Sequence, residues 1–253
     1  MFNVILPTYN EAANILCMIN ILTLIFSKMK EPFLIIVVDD NSPDGTANIV
    51  KNKQFENVKV IERNGKLGLG SAYKEGIKHC VFDHTIILDV DLQQNPFDII
   101  GMAKYCKKYD IVSSTRYAKR TKYAGNENEV VSLTSNLNKE MQVHGKVCNW
   151  PFKRKLISAS ANIFAQTLLG IKTSDLTCSF RIYRTEVLKK LLDQTIANGF
   201  GVQVELITRA EYANYKIKEY PITFYNRMYG ESKLAFKEFY QYIMNIIYLY
   251  FKI

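Results

Sequence analysis

The chain has 253 residues, 48% hydrophobic and 23% charged, enough for one large domain with a proper core and unlike a wholly disordered chain. Its net charge of +9 suits an anionic partner, whether nucleotide phosphate, lipid headgroup or nucleic acid, without choosing among them. Five cysteines (Cys17, Cys80, Cys106, Cys148, Cys178), an odd number with no CxxC pair, argue against a disulfide framework or zinc site and make a reducing compartment the default.

The first apolar run, residues 2–6, starts so early that the reading leaves no room for a signal peptide. It ends in Pro7-Thr8-Tyr9-Asn10-Glu11, where Asn10 suits the N-cap of a helix predicted over 11–29. A second strand, 34–38, runs into Asp39-Asp40-Asn41-Ser42. Asp44-Gly45 beyond it is turn chemistry. A cap explains one of Asp39 and Asp40; the other is a candidate for a ribose hydroxyl or base edge. A helix over 45–54 and a strand over 58–61 follow. The segment NGKLGLGSAY (64–73) fits neither GxGxxG nor GxxxxGK[ST] and reads as a tight turn into a helix over 69–80, with Gly70 or Ser71 near its N-cap.

Residues 85–88 form the fourth strand, which ends in Asp89-Val90-Asp91. Unpartnered carboxylates in a poorly solvated position cost several kcal/mol, roughly, so such a pair calls for a cation. Gln93 adds a neutral oxygen, and this donor set suits a hard divalent ion holding a phosphate. The bland alternative is a pair of solvent-exposed strand-end acids. A helix over 97–108 and a strand over 110–113 follow, with Arg116 just beyond: a surface charge, or a counter-charge to the acids.

The alternation of strands and helices predicts an α/β fold, a mostly parallel sheet with helices on both faces and ligands beyond the carboxyl ends of its strands. The rhythm breaks after Arg116, and roughly 124–146 reads as an inserted loop. A helix over about 154–169, a strand-like stretch at 216–224 and a helix from about 234 complete the reading. The Gly230 loop carries Arg227 and Lys233, either a basic surface turn or a lid that clasps a diphosphate. On the terminal helix Phe236, Phe239, Tyr240, Ile243, Ile247, Tyr250 and Phe251 share one stripe, which suits packing on the domain or docking on a membrane or membrane partner. No uninterrupted apolar run reaches the roughly 18–20 residues that span a bilayer; 15–26 and 239–251 come nearest.

Taken together, LPTYNE, VDDNSPDGT, GLGSAYKEG, LDVDL, STRY, SDLTCSFRIYR and YGESK resemble the dolichyl-phosphate mannosyltransferases, the catalytic subunits within glycosyltransferase family 2 that have the GT-A (nucleotide-diphospho-sugar transferase) fold. The resemblance covers nearly the whole chain apart from an insert at about 121–148. It implies a transferase domain over 1–235 and a C-terminal amphipathic docking helix over 236–253. It also implies inverting transfer of mannose from GDP-mannose to dolichyl phosphate, for protein glycosylation and GPI-anchor synthesis. By resemblance Pro7, Tyr9, Glu11, Val38 and Asp40 line the guanosine site. Asp89, Asp91 and Gln93 hold Mg²⁺ or Mn²⁺, with Asp91 and Arg116 catalytic. Val90 touches the nucleotide through its backbone, and Arg116, Arg227 and Lys233 contact GDP-mannose or the acceptor phosphate.

The implied setting is peripheral, on the cytoplasmic face of the endoplasmic reticulum membrane. Small membrane subunits are among the implied partners and nucleic acid is not. Ala159 stands where relatives often carry an arginine, and Cys178 replaces a common glycine. A polyprenyl-phosphate glucosyltransferase using UDP-glucose and a non-catalytic nucleotide-binding scaffold are the other readings. The acceptor phosphate is anionic at neutral pH, so the reaction needs no general base, and His79, His84 and His144 lie outside every motif.

Overall fold

The computed structural model describes residues 1–117, 146–148, 152–226 and 236–252. The predicted lid cations Arg227 and Lys233, and most of the predicted insert, lie outside the described residues. Strands β1 (Phe2–Thr8), β2 (Phe33–Asp39), β3 (Val58–Glu62), β4 (His84–Ile87), β5 (Ile111–Thr115), β7 (Arg181–Arg184) and β8 (Ile217–Pro221) form one sheet in the order β3-β2-β1-β4-β7-β5-β8. Every neighbouring pair is parallel except β7, which runs antiparallel to both β4 and β5. A short pair, β6 (Lys146–Val147) and β9 (Thr223–Phe224), lies apart from it.

Period-two alternation divides the central strands between two cores. Val4, Leu6, Ile35 and Val37 face α1 (Ile15–Met29) and α4 (Asp98–Ala103). Ile5, Ile36 and Val38 face α3 (Leu69–Gly76), α6 (Thr185–Gln194) and α7 (Val202–Tyr212). Helix α1 forms because Ile15, Met18, Ile19, Leu22, Ile25 and Phe26 recur at three- and four-residue spacing and are buried. Helix α2 (Thr46–Asn52) bridges β2 and β3.

Three boundaries differ from the sequence reading. Asn10 is not an N-cap: it sits at φ 55°, outside the extended region a cap adopts, and α1 starts only at Ile15. Residues 10–12 instead form a loop pinned to the next one, with Ser42 Oγ and Asp44 Oδ2 accepting the Asn10 and Ala12 N–H groups at 3.0 and 2.9 Å. Helix α3 starts at Leu69 as expected but ends at Gly76, and residues Ile77–His79 form a tighter 3-10 turn. The stretch between 170 and 215, for which the sequence reading assigns no element, holds β7, α6 and α7.

The terminal helix α8 (Phe236–Lys252) does pack on the domain, through Tyr242, Ile246 and Leu249 together with Ile243 of the aromatic stripe. Tyr242, Ile246 and Leu249 are buried against Ala165 and Leu169 of α5 (Phe152–Leu169) and Val204 and Ile207 of α7. Ile247, Tyr250 and Phe251 of the predicted stripe are left 38%, 55% and 77% exposed. Packing on the core and presenting an apolar face are thus both satisfied by one helix.

The glycines of the GLG turn admit a close backbone approach. Gly70 N–H donates to Asn198 O at 2.8 Å, and a Cβ at Gly70 would lie 2.2 Å from Ala197 O. Backbone cannot yield as a flexible side chain can, so Gly70→Ala is expected to destabilise by about 1–3 kcal/mol. Gly65→Ala, with open space around its Cβ, should be near neutral. Urea unfolding of the two variants measures the contrast.

Candidate active site

The carboxyl ends of β1, β2 and β4 bring together the polar clusters read from the sequence. Beyond β4 the chain turns through Asp89-Val90-Asp91-Leu92-Gln93, with Leu92 at φ 56°. A bulky side chain in the left-handed region is uncommon and tends to occur where surrounding contacts over-determine the backbone. Asp91 is only 7% exposed and Asp89 is half-buried, so the reading as solvent-exposed strand-end acids fails. Asp91 Oδ1 accepts the Gln93 N–H at 3.1 Å, and Asp89 Oδ2 accepts the Ser179 hydroxyl at 2.6 Å.

Gln93 is locked by its neighbour strand: its Nε2 donates to Tyr225 O at 3.1 Å, while Tyr225 N–H donates to Gln93 O at 2.8 Å. The amide nitrogen is thereby committed to the protein, and Oε1 is the end available to a cation. Among the described residues no group of three His, Cys, Asp or Glu side chains forms an all-protein metal cage. Two carboxylates and one amide oxygen fit instead an ion of the Mg²⁺ or Mn²⁺ kind that completes its shell with phosphate oxygens and water. The segment leading to Arg227 and Lys233 leaves from Tyr225 and Asn226, beside this loop.

At β2 the two acids divide their work. Asp39 Oδ1 accepts the Thr8 and Ser42 hydroxyls at 2.7 and 2.6 Å, and its Oδ2 accepts the Ser42 N–H at 2.8 Å. It is the structural partner. Asp40 forms a buried ion pair with Arg63, whose Nε lies 2.6 Å from Oδ1. Its Oδ2 takes the N–H groups of Leu67 and Gly68 at 3.1 and 3.3 Å, so Asp40 also anchors the turn before α3. Lys66 on that turn stands 4.6 Å over the Tyr9 ring, a cation–π contact at the predicted base site. Glu11 is buried, with the Asn14 side chain donating to its Oε2 at 2.9 Å.

Arg116, expected to contact substrate, lies buried against a residue that the sequence reading gave no role. Its Nε and Nη2 each donate to Asp175 at 2.7 Å, its backbone N–H donates to the same carboxylate at 3.1 Å, and Nη2 also reaches Thr177 Oγ1 at 2.6 Å. Burial alone disfavours both charges, yet the fork-on-carboxylate geometry wins. The Asp175 carboxyl is held below its usual range, and the Arg116 guanidinium is pushed above its own.

Arg181, likewise given no role by the sequence reading, is fully buried on β7 and donates to Ser113 Oγ, Gln203 O and Leu176 O at 3.1, 2.8 and 2.9 Å. Gln203 Nε2 donates at 2.6 Å to Tyr73, whose phenol is pushed well above its ordinary value by burial first and by the charge of Asp89 second. Asp175, Ser179 and Arg181 all fall within SDLTCSFRIYR, and that quoted motif was the signal available for them. Ala159 is half-buried on α5, and the neighbouring Ser158 Oγ pairs with Tyr117 OH at 2.7 Å.

This sheet order, with acids at the carboxyl edge of a parallel core, defines the GT-A class of glycosyltransferases. The chain matches Glycosyl transferase family 2 over residues 3–192 and belongs to that family, so it is a glycosyltransferase. It is 30% identical over 240 residues to the undecaprenyl-phosphate mannosyltransferase of Micrococcus luteus, covering 91% of this chain and 86% of that protein. With the dolichol-phosphate mannosyltransferase of Pyrococcus furiosus it shares 33% identity over 254 residues, covering 96% of this chain and 62% of that protein. The fold is also that of glucosyl-3-phosphoglycerate synthase from Mycobacterium tuberculosis, solved with Mn²⁺, UDP and phosphoglyceric acid. That likeness has a TM-score of 0.61 at 17% identity over 99% of this chain and 78% of that one.

Replacing Asp175 with asparagine leaves the buried Arg116 charge uncompensated, and a loss of about 3–5 kcal/mol is expected. Because the Asp175 carboxyl is depressed in the folded chain, the ion pair contributes fully above the unfolded value and fades as pH falls. The stability gap between the native chain and Asp175→Asn should therefore be flat above about pH 4 and narrow below it. Denaturant unfolding across pH tests this.

Proposed function

We propose that the chain transfers mannose from GDP-mannose to dolichyl phosphate with inversion. The observation that carries this is the buried Asp91, with Asp89 and the locked Gln93 amide, at the sheet edge of a family 2 chain similar to polyprenyl-phosphate mannosyltransferases. A divalent ion bound by Asp89, Asp91 and Gln93 supplies charge neutralisation for the departing diphosphate.

The protein residues do the rest. Pro7, Tyr9, Glu11, Val38 and Asp40 bind the guanosine, with Asp40 acting partly through the Arg63 turn that it holds. Val90 offers its backbone to the nucleotide. Arg116 fixes a phosphate at the reacting centre, and Arg227 and Lys233 clasp the diphosphate. One oxygen of the acceptor phosphate attacks the anomeric carbon from the side opposite GDP. The new carbon–oxygen bond forms as the old one breaks, and the bonding pair leaves with GDP. No proton has to be removed, which agrees with the positions of His79 and His84: His79 Nδ1 pairs with Lys59 at 2.9 Å, and His84 lies at the other end of β4.

Among the described residues no helix is long and apolar enough to cross a membrane. The acceptor is a membrane lipid, and the exposed Met244, Ile247, Tyr250 and Phe251 of α8 supply an apolar surface for peripheral attachment. We place that attachment on the cytoplasmic face of the endoplasmic reticulum membrane, directly or through small membrane subunits.

Asp91→Ala is expected to lower mannosyl transfer by about 10²–10³-fold or more while circular dichroism stays native. Near-normal turnover would remove Asp91 from the site. Product inhibition by GDP but not UDP is expected in the same assay; the reverse would make the donor a uridine nucleotide sugar. The double substitution Tyr250→Ser with Phe251→Ser spares the buried face of α8. It is expected to weaken binding to anionic lipid vesicles by roughly tenfold or more, and unchanged binding in a flotation assay would leave α8 with packing alone.

A further inference from the structure

The loop that delivers Asp175 to Arg116 is itself held by two glutamates from outside it. Glu211 at the end of α7 accepts the backbone N–H groups of Lys172 and Thr173 at 2.8 and 2.7 Å, and also the Thr173 hydroxyl. Glu219 on β8 accepts both the N–H and the hydroxyl of Ser174 through Oε1, each at 2.7 Å. Three consecutive donors, residues 172–174, thus end on carboxylates, and the next residue is Asp175. The Ser174 hydroxyl also meets Thr115 Oγ1 at 2.7 Å, one residue before Arg116. Register ties the far end: Glu219 pairs with Ser113 and Pro221 with Thr115, so β8 carries Glu219 on the strand that flanks the approach to Arg116.

We propose that Glu219 is a positioning residue for the transfer reaction, acting through Ser174 and Asp175 to hold the Arg116 guanidinium in its working orientation. The inference rests on the reading of Arg116 as a phosphate-binding group. Arg116 is oriented by its carboxylate partner, Asp175 by its loop, and the loop by an acceptor on β8. Each link is a short charge-assisted or hydroxyl bond, half-buried at Glu219 and Ser174 and buried at Asp175 and Arg116, where loss of an acceptor is costly. A group that only stabilised the fold would lower activity independently of Arg116. A positioning group loses its effect once Arg116 is changed.

The test has two arms. In the first, the protein is labelled with ¹⁵N-arginine, and the Arg116 Nε–H signal is assigned by its disappearance in Arg116→Lys. Glu219→Leu is expected to speed exchange of that proton with solvent at least tenfold, whereas Glu219→Gln, which retains an Oε1 acceptor, keeps it protected. An unchanged Arg116 signal in Glu219→Leu overturns the proposal. Should Glu219→Leu fail to fold, Ser174→Ala takes its place with the same expectation.

In the second arm, mannosyl transfer is measured. Glu219→Leu is expected to cut kcat/KM roughly tenfold or more in the native background and by less than about twofold in Arg116→Lys, with Glu219→Gln retaining most activity. Equal losses in both backgrounds assign Glu219 to stability alone. A native chain that transfers no mannose refutes the proposed function instead, and the exchange measurement still decides the positioning.

Discussion

Strand β7 runs antiparallel between β4 and β5, so it enters the sheet at the edge where those two strands end. The loop before it must therefore cross the site. That single reversal brings Asp175 against Arg116 beyond β5 and Ser179 against Asp89 beyond β4. It also buries Arg181 between them, on hydroxyl and carbonyl oxygens. A parallel strand in the same slot would deliver its leading loop to the opposite edge of the sheet, and the acids and Arg116 would need other partners.

The elements legible in the sequence were those whose burial pattern is periodic on its own. Strands β1 to β5 lie within a residue or two of their apolar runs, and α1 and α5 within a few residues of their predicted ends. Strand β7 was not legible because Arg-Ile-Tyr-Arg has only four residues and begins with a fully buried arginine, which no apolar pattern announces. Helix α6 does carry a stripe, with Val187, Leu188, Leu191 and Leu192 buried, and was available to a closer count. Asp89, Asp91 and Gln93 stand out in the sequence because two acids two residues apart at a strand end are chemically expensive. Asp175 and Glu219 were not, since what defines them is a partner many residues away.

The same distinction separates the two β2 acids. Spacing showed that one cap could not explain both Asp39 and Asp40, and the structure identifies the remainder as a charge pair with Arg63 on the far side of β3. Arg63 in turn donates to Ser71 and to Gly68 O, so the GLG turn is held on one side by Asp40 and Arg63. The backbone of 197–198 closes on its other side. The glycines there serve close packing, as the failure of both phosphate-loop spacings had implied, and the turn still bears on the site because it carries Lys66 to the Tyr9 ring.

Formal charge at the centre gives the arrangement its direction. Asp89 and Asp91 lie beyond β4, the Asp175 and Arg116 pair lies beyond β5, and Arg181 is buried on β7 between them. Asp175 is committed to the arginines, while Asp89 and Asp91 flank the point where the backbone turns at Leu92 and the Gln93 amide is fixed. In the proposed reaction a divalent ion held by Asp89, Asp91 and Gln93 would make this edge attractive to a diphosphate. A bound diphosphate would bring further negative charge, and further cations would then gain most by closing. Arg227 and Lys233, on the segment that leaves from beside Gln93, are in this proposal the charges that respond. In the proposed reaction they would engage with the nucleotide and release with it, while Arg116, pinned by Asp175, would stay in place for the acceptor.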